Sequence, residues 1–158
     1  FNINLNPNIE LAVLPNDNID EKFLIKKATS QNISNVITFG KDKKSNFKIN
    51  QIKALDNNKL CLSLFYKNES IELLVNKNQL FKLNNIIICY IIFLYNKINL
   101  KLFKENSYNI PLIEGRGLYS KIIINKKTIN FIDESYNASP ETVKKCINYF
   151  NDLNSKSH

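Results

Sequence analysis

Phe131-Ile132-Asp133-Glu134-Ser135-Tyr136-Asn137-Ala138-Ser139-Pro140-Glu141-Thr142 is the stretch whose reading decides the fold. The apolar run into it, Thr128 to Ile132, reads as a buried strand. Two carboxylates and a polar turn end that strand. Ser139 is suited to cap a helix, and Pro140 fits the first helical position, where its missing N–H costs nothing. Glu141 puts negative charge in the first turn, which the helix dipole favours. Val143, Cys146, Ile147, Phe150 and Leu153 then recur at helical spacing and give one apolar face. The unit is strand, polar turn, helix. In open α/β sheets ligands gather at the carboxyl ends of strands, where this turn would lie.

Working outward, Leu118 to Ile124 is a second strand, joined through Asn125-Lys126-Lys127. Tyr108 to Gly117, with Pro111 and two glycines, reads as a linker. A domain boundary is expected there, dividing residues 1–113 from residues 114–158. Nearer the start, Ile9 to Leu14 reads as a short buried strand broken by Pro15-Asn16-Asp17-Asn18. Asp20 can cap a helix through about Gln31, and Asn35 to Phe39 is the next strand, ended by Gly40. That order implies parallel pairing in an α/β sheet. Phe47 to Leu55, Lys59 to Tyr66 and Ile71 to Val75 read as an antiparallel meander. Asn76 onward is helical, and Ile86 to Tyr95 is apolar nearly all round, as for a helix buried between layers. That run is about half a bilayer span. A short helix from Leu100 to Ser107 follows. Residues 1–8 are expected to be irregular, and Asn154 to His158 to fray.

The 131–142 stretch resembles the Asp-Asp-Ser-Tyr-Asn-Ala-Asn-Pro signature of the Mur ligases. Three more stretches follow that family's order. Leu11-Ala12-Val13-Leu14-Pro15-Asn16-Asp17-Asn18 is similar to its Ala-Val-Leu-Asn-x-Asp-Asp turn, Ile37-Thr38-Phe39-Gly40 to the strand end after it, and Ile113-Glu114-Gly115-Arg116 to its Pro-x-x-Gly-Arg element. The resemblance is nearest to the branch that adds D-alanyl-D-alanine to UDP-N-acetylmuramoyl-tripeptide. It implies an α/β fold: the latter part of a Mur-ligase central domain, a parallel layer plus a small antiparallel meander, followed by the start of a Rossmann-like C-terminal domain. It also implies ATP and Mg2+ as cofactors, and those two peptidoglycan precursors as substrates. Such ligases activate a carboxylate as an acyl phosphate, which an amine then attacks.

The resemblance implies nucleotide-binding roles for six residues. Arg116 corresponds to an arginine that contacts ATP phosphate, a role suited to a fork of fixed donors. Asp133 and Glu134 stand where the family has two carboxylates, one of them on the ribose; Glu134 replaces the usual aspartate. Tyr136 and Asn137 lie beside the nucleotide and the hinge. Asn84 keeps the first asparagine of a Gly-x-His-Asn-x-x-Asn pattern in which Phe81, Leu83 and Ile87 replace the other marked residues. Read as residues alone, Arg116 is a linker arginine, Asp133 and Glu134 a solvated acidic turn, Ser135 to Asn137 turn chemistry, and Asn84 a helix start. Adjacent strand residues point to opposite faces, so Asp133 and Glu134 should not both face one ligand.

A phosphate-cradling loop needs Gly-x-x-x-x-Gly-Lys-Ser/Thr. The three glycines, Gly40, Gly115 and Gly117, do not make one. In the family that loop and the Mg2+ ligands belong to the first part of the central domain. A separate chain could supply that half, and this chain alone is expected not to turn over ATP. The sole histidine, His158, stands in the tail, which argues against Ser-His-Asp, Cys-His and histidine-metal chemistry. Cys61, Cys89 and Cys146 form no Cys-x-x-Cys pair and sit in apolar patterns, so buried free thiols in a reducing cytoplasm are expected. The sequence opens at Phe1 with no secretory leader pattern, which reads as a processed chain or a fragment.

The net charge is +8. The lysines are scattered, and heavy use of Asn, Ile and Lys fits an AT-rich genome, so a solvated basic surface is the favoured reading. The alternative is a non-catalytic basic module for nucleic acid. That needs lysines and aromatics on one face, whereas Phe65, Tyr66, Tyr90 and Phe93 fall in apolar runs that read as buried.

Overall fold

The computed structural model describes residues 9–56, 58–111, 113–136 and 139–154. The expectations for residues 1–8, Asn137 and residues 155–158 lie outside these.

Five strands form one sheet in chain order: β1 Leu11–Pro15, β2 Asn35–Gly40, β3 Phe47–Ala54, β4 Lys59–Tyr66 and β5 Glu69–Asn76. The first three are parallel and the last three antiparallel, so the parallel layer and the meander share one sheet. The first crossover is α1, Ile19–Ser30. Its cap is Asn18, not Asp20. The Asn18 side chain accepts from the Glu21 amide at 2.9 Å, and the Glu21 carboxylate accepts from the Asn18 amide at 3.0 Å. An aspartate inside the first turn cannot displace this reciprocal pair, which satisfies two orphan donors at once. The turn between β4 and β5 is Lys67-Asn68, both at positive φ, as a two-residue hairpin requires.

The core follows from strand alternation. Leu60, Leu62 and Leu64 of β4 lie opposite Val75, Leu73 and Ile71 of β5, and all six are buried. Across this face lies α2, Leu83–Tyr95, entered through a 3-10 turn at Lys77–Lys82. Its buried residues are Leu83, Ile86, Ile87, Tyr90 and Ile91, at i, i+3, i+4, i+7 and i+8. The helix is therefore buried on one stripe and not all round: Cys89 and Ile92 are exposed. The cause is coverage. A single sheet face meets a single helix face, whatever the other side carries. Tyr90 packs edge-on against Phe47 and Phe103, the latter from α3, Leu100–Asn106. Phe47 in turn stacks on Tyr66 with ring centroids 4.0 Å apart. Ser107, fully buried, donates its hydroxyl to the Leu74 carbonyl at 2.8 Å and so ties the end of α3 to β5.

Strands β6, Leu118–Ile124, and β7, Lys127–Asp133, pair antiparallel as a separate two-stranded sheet, followed by α4, Pro140–Asn154. Ser139 caps α4 through the Thr142 amide at 3.3 Å. The expectation of a buried β7 is corrected: Ile129 and Phe131 are each more than two-fifths exposed. A two-stranded sheet has little neighbouring surface to cover its faces. β1 is corrected in the same sense, being half-buried along its length. None of the three cysteines is fully buried, and all are free. Phe65 also points outward from β4, 44% exposed, because the alternation that buries Leu64 puts its neighbour on the open face. No described helix is long and apolar enough to cross a membrane.

Candidate functional site

Arg116, Tyr136, Asp133 and Glu134 meet where the 113–117 turn crosses the tip of β7. Asp133 builds the frame. Its Oδ2 accepts from the Gly115 amide at 3.0 Å, and its Oδ1 from the Ser135 amide at 3.1 Å and hydroxyl at 2.7 Å. The Ser135 hydroxyl is the main cause of a carboxyl pKa below its ordinary value, joined by the Ser135 and Gly115 amides. The Gly115 carbonyl accepts the Tyr136 amide at 2.9 Å, and the Asp133 carbonyl the Gly117 amide at 2.6 Å. Gly115 sits at φ +74°, where a side chain is strained, and an added Cβ would come within 2.9 Å of the Tyr136 Cβ.

This frame lays the Arg116 guanidinium over the Tyr136 ring, 4.2 Å from its centroid. Tyr136 itself is exposed. Glu134 is the first residue beyond β7. Its Oε2 is buried without a hydrogen-bond partner among the described residues. Burial raises its pKa; the Lys82 and Arg116 charges oppose that, and Asp133 adds to it. Lys82, at the end of the 3-10 turn, donates to the Arg116 carbonyl. Burial depresses its ammonium pKa, with Glu134 acting in the opposite direction.

Arg116 and Lys82 line a groove of about 170 Å³ with Asn85, Gln79, Ile86 and Ile113. The groove offers a guanidinium and an ammonium for anionic oxygens, an amide edge and apolar walls, and Glu134 stands near both cations without being one of its lining residues. Of the six residues singled out in the sequence, Arg116, Asp133, Glu134 and Tyr136 are brought together. Asn84 is exposed in the first turn of α2 and does not line the groove, whereas its neighbour Asn85 does. Asn137 lies outside the described residues. Lys82 and Asn85 were not selected from the sequence. Nothing marks Lys82 among scattered lysines, and the turn that aims it is set by tertiary packing. Among the described residues no three His, Cys, Asp or Glu side chains gather into a metal site.

No protein-family model and no curated protein matches the chain by sequence. Solved structures do match in fold. One is the UDP-N-acetylmuramoylalanyl-D-glutamyl-2,6-diaminopimelate–D-alanyl-D-alanyl ligase of Acinetobacter baumannii, at TM-score 0.62 and 16% identity over 88% of this chain and 29% of that one. Another is the MurF ligase of Thermotoga maritima in complex with ADP, at TM-score 0.59 and 17% identity over 89% and 30%. A UDP-N-acetylmuramoyl-L-alanyl-D-glutamate–2,6-diaminopimelate ligase matches at TM-score 0.64 and 15% identity over 90% and 28%. This chain thus spans less than a third of the length of the ligases it matches, and its fold is that of a section of a Mur ligase.

Proposed function

We propose that the chain is the hinge-side section of an ATP-dependent, amide-bond-forming Mur ligase of peptidoglycan precursor synthesis, working in the cytoplasm. In this reading residues 1–113 belong to the central ATP-binding domain and residues 114–158 open the C-terminal domain. The reaction joins D-alanyl-D-alanine to UDP-N-acetylmuramoyl-tripeptide. Within it, Arg116 and Lys82 hold phosphate oxygens, Glu134 accepts from a ribose hydroxyl, and Tyr136 keeps the guanidinium in place. ATP supplies the acyl-activating phosphoryl group. Its Mg2+ is held by the P-loop half, contributed from outside the residues present here.

The observation that carries this reading is that Arg116 and Lys82 line one groove, with Glu134 near enough to feel both charges, in a chain with the Mur-ligase fold. Binding of a fluorescent ATP analogue tests it. Losing a guanidinium on a phosphate forfeits about 1.5–3 kcal/mol, so Arg116→Ala should weaken binding at least about tenfold. Unchanged affinity in a folded Arg116→Ala variant removes the nucleotide role.

A further inference from the structure

The carboxyl ends of β1 and β2 open into a second groove, of about 390 Å³, which shares no lining residue with the first. Three ammonium groups line it: Lys22 and Lys26 from α1, and Lys44 from the loop after β2. One carboxylate, Asp42, opposes them. Asp42 is already engaged, with Lys22 at 3.2 Å and the Lys44 amide at 2.9 Å. The nearby acids are turned to backbone. Asp17 accepts from the Lys41 and Asp42 amides, and Glu21 from the Asp17 and Asn18 amides. Lys26 and Lys44 have no ion pair among the described residues.

Beside Ile25, the lining includes two buried polar side chains. Asn16 is 7% exposed and Thr38 8%. Thr38 commits its hydroxyl to Asn46, donating to Oδ1 at 2.9 Å and accepting from the amide at 3.0 Å. The Asn16 Nδ2 donates to the Ser45 hydroxyl at 3.4 Å. Its Oδ1 accepts no hydrogen bond among the described residues and is not among the fully buried atoms, so solvent or a ligand in the groove can reach it. A hydroxyl can donate or accept, and an asparagine's O and N are distinguished only by their partners. Exchanging the two amide ends keeps the Ser45 contact and turns the Nδ2 donor toward an anion in the groove.

We propose that this groove binds a small phosphate-bearing anion of about diphosphate size. Two ammonium groups in excess, on separate elements, favour a multiply charged ligand. Lysines act as point charges toward phosphoryl oxygens, as in other lysine-based phosphate sites. The volume admits more than one phosphoryl group. The site lies where parallel strands present their carboxyl ends, the usual ligand side of an α/β sheet.

Pyrophosphate titrated into the full chain at constant ionic strength, followed by amide NMR shifts, tests this. Saturable shifts at Asn16 and residues 41–45 are expected. Lys26→Gln with Lys44→Gln should weaken them at least tenfold, while Arg116→Ala leaves them unchanged. Citrate should bind less tightly than pyrophosphate. Absence of saturation, equal binding by the lysine double variant, or citrate binding as tightly overturns the proposal. Because Arg116→Ala reports on the other groove alone, failure here is separable from failure of the ligase reading. Asn16→Ala, checked for folding by circular dichroism, should also weaken binding; retention of full affinity in that folded variant counts against the site.

Discussion

Gly115 ties the 113–117 turn to both Asp133 and Tyr136. Its amide meets Asp133, its carbonyl meets Tyr136, and its positive φ turns the chain so that Arg116 reaches the tyrosine ring. Gly115→Ala adds left-handed strain and a collision with the Tyr136 Cβ, so urea denaturation should show a loss of about 2 kcal/mol. The two acids next to each other should respond oppositely to pH. Asp133 has a depressed pKa, so its contribution to stability is present above the ordinary carboxylate range and is lost as pH falls through the depressed value. Glu134 has a raised pKa, so its contribution is present below the ordinary glutamate value and is lost as pH rises through the raised one. Urea midpoints measured across that acidic range should therefore lose their acid-side fall in Asp133→Asn and their rise-side fall in Glu134→Gln.

At the scale of elements, much was legible because the signals were local. The alternation in Lys59 to Tyr66 and Ile71 to Val75 gave both meander strands, since one face of each packs and the other does not. Ser139-Pro140 marked the start of α4 for the same kind of reason, a cap and a ring that need only their own turn. Burial was not legible in the same way. Apolar letters in β7 and around α2 say nothing about how much surface lies opposite them, and the second sheet has only two strands. The groove beside Arg116 was half legible. Arg116 and Glu134 stand in a recognisable stretch, whereas Lys82 and Asn85 arrive through the 3-10 turn and the helix register. The cap of α1 was misplaced because Asp20 and Asn18 are both good caps, and only the Glu21 partner decides between them. Asn18→Ala should cost about 1 kcal/mol by thermal unfolding, and Asp20→Ala much less.

Taken whole, the chain has two parts of unequal solidity. The five-stranded sheet holds Leu62, Leu64, Leu73, Val75, Ile87 and Ile91 almost free of solvent. In the hairpin and α4, the fully described side chains offer only Tyr149 as a buried large apolar group. Opening free energy follows buried contact, so hydrogen exchange should be slow in β4, β5 and α2 and faster in β6 and β7. Equal protection of the two sheets would contradict this. The exposed Ile123, Ile124 and Phe131 also make the hairpin the place where self-association at high concentration should start.

The sheet runs in chain order, and α2 comes after all five of its strands. On the ribosome, therefore, every strand is synthesised before the helix that shields their apolar side. At about 5–20 residues per second, the interval from Asn76 to Ile91 leaves that side wet for roughly a second or more. A nascent chain paused there is a natural client for holdase chaperones, and its first safe moment is the emergence of Ile91.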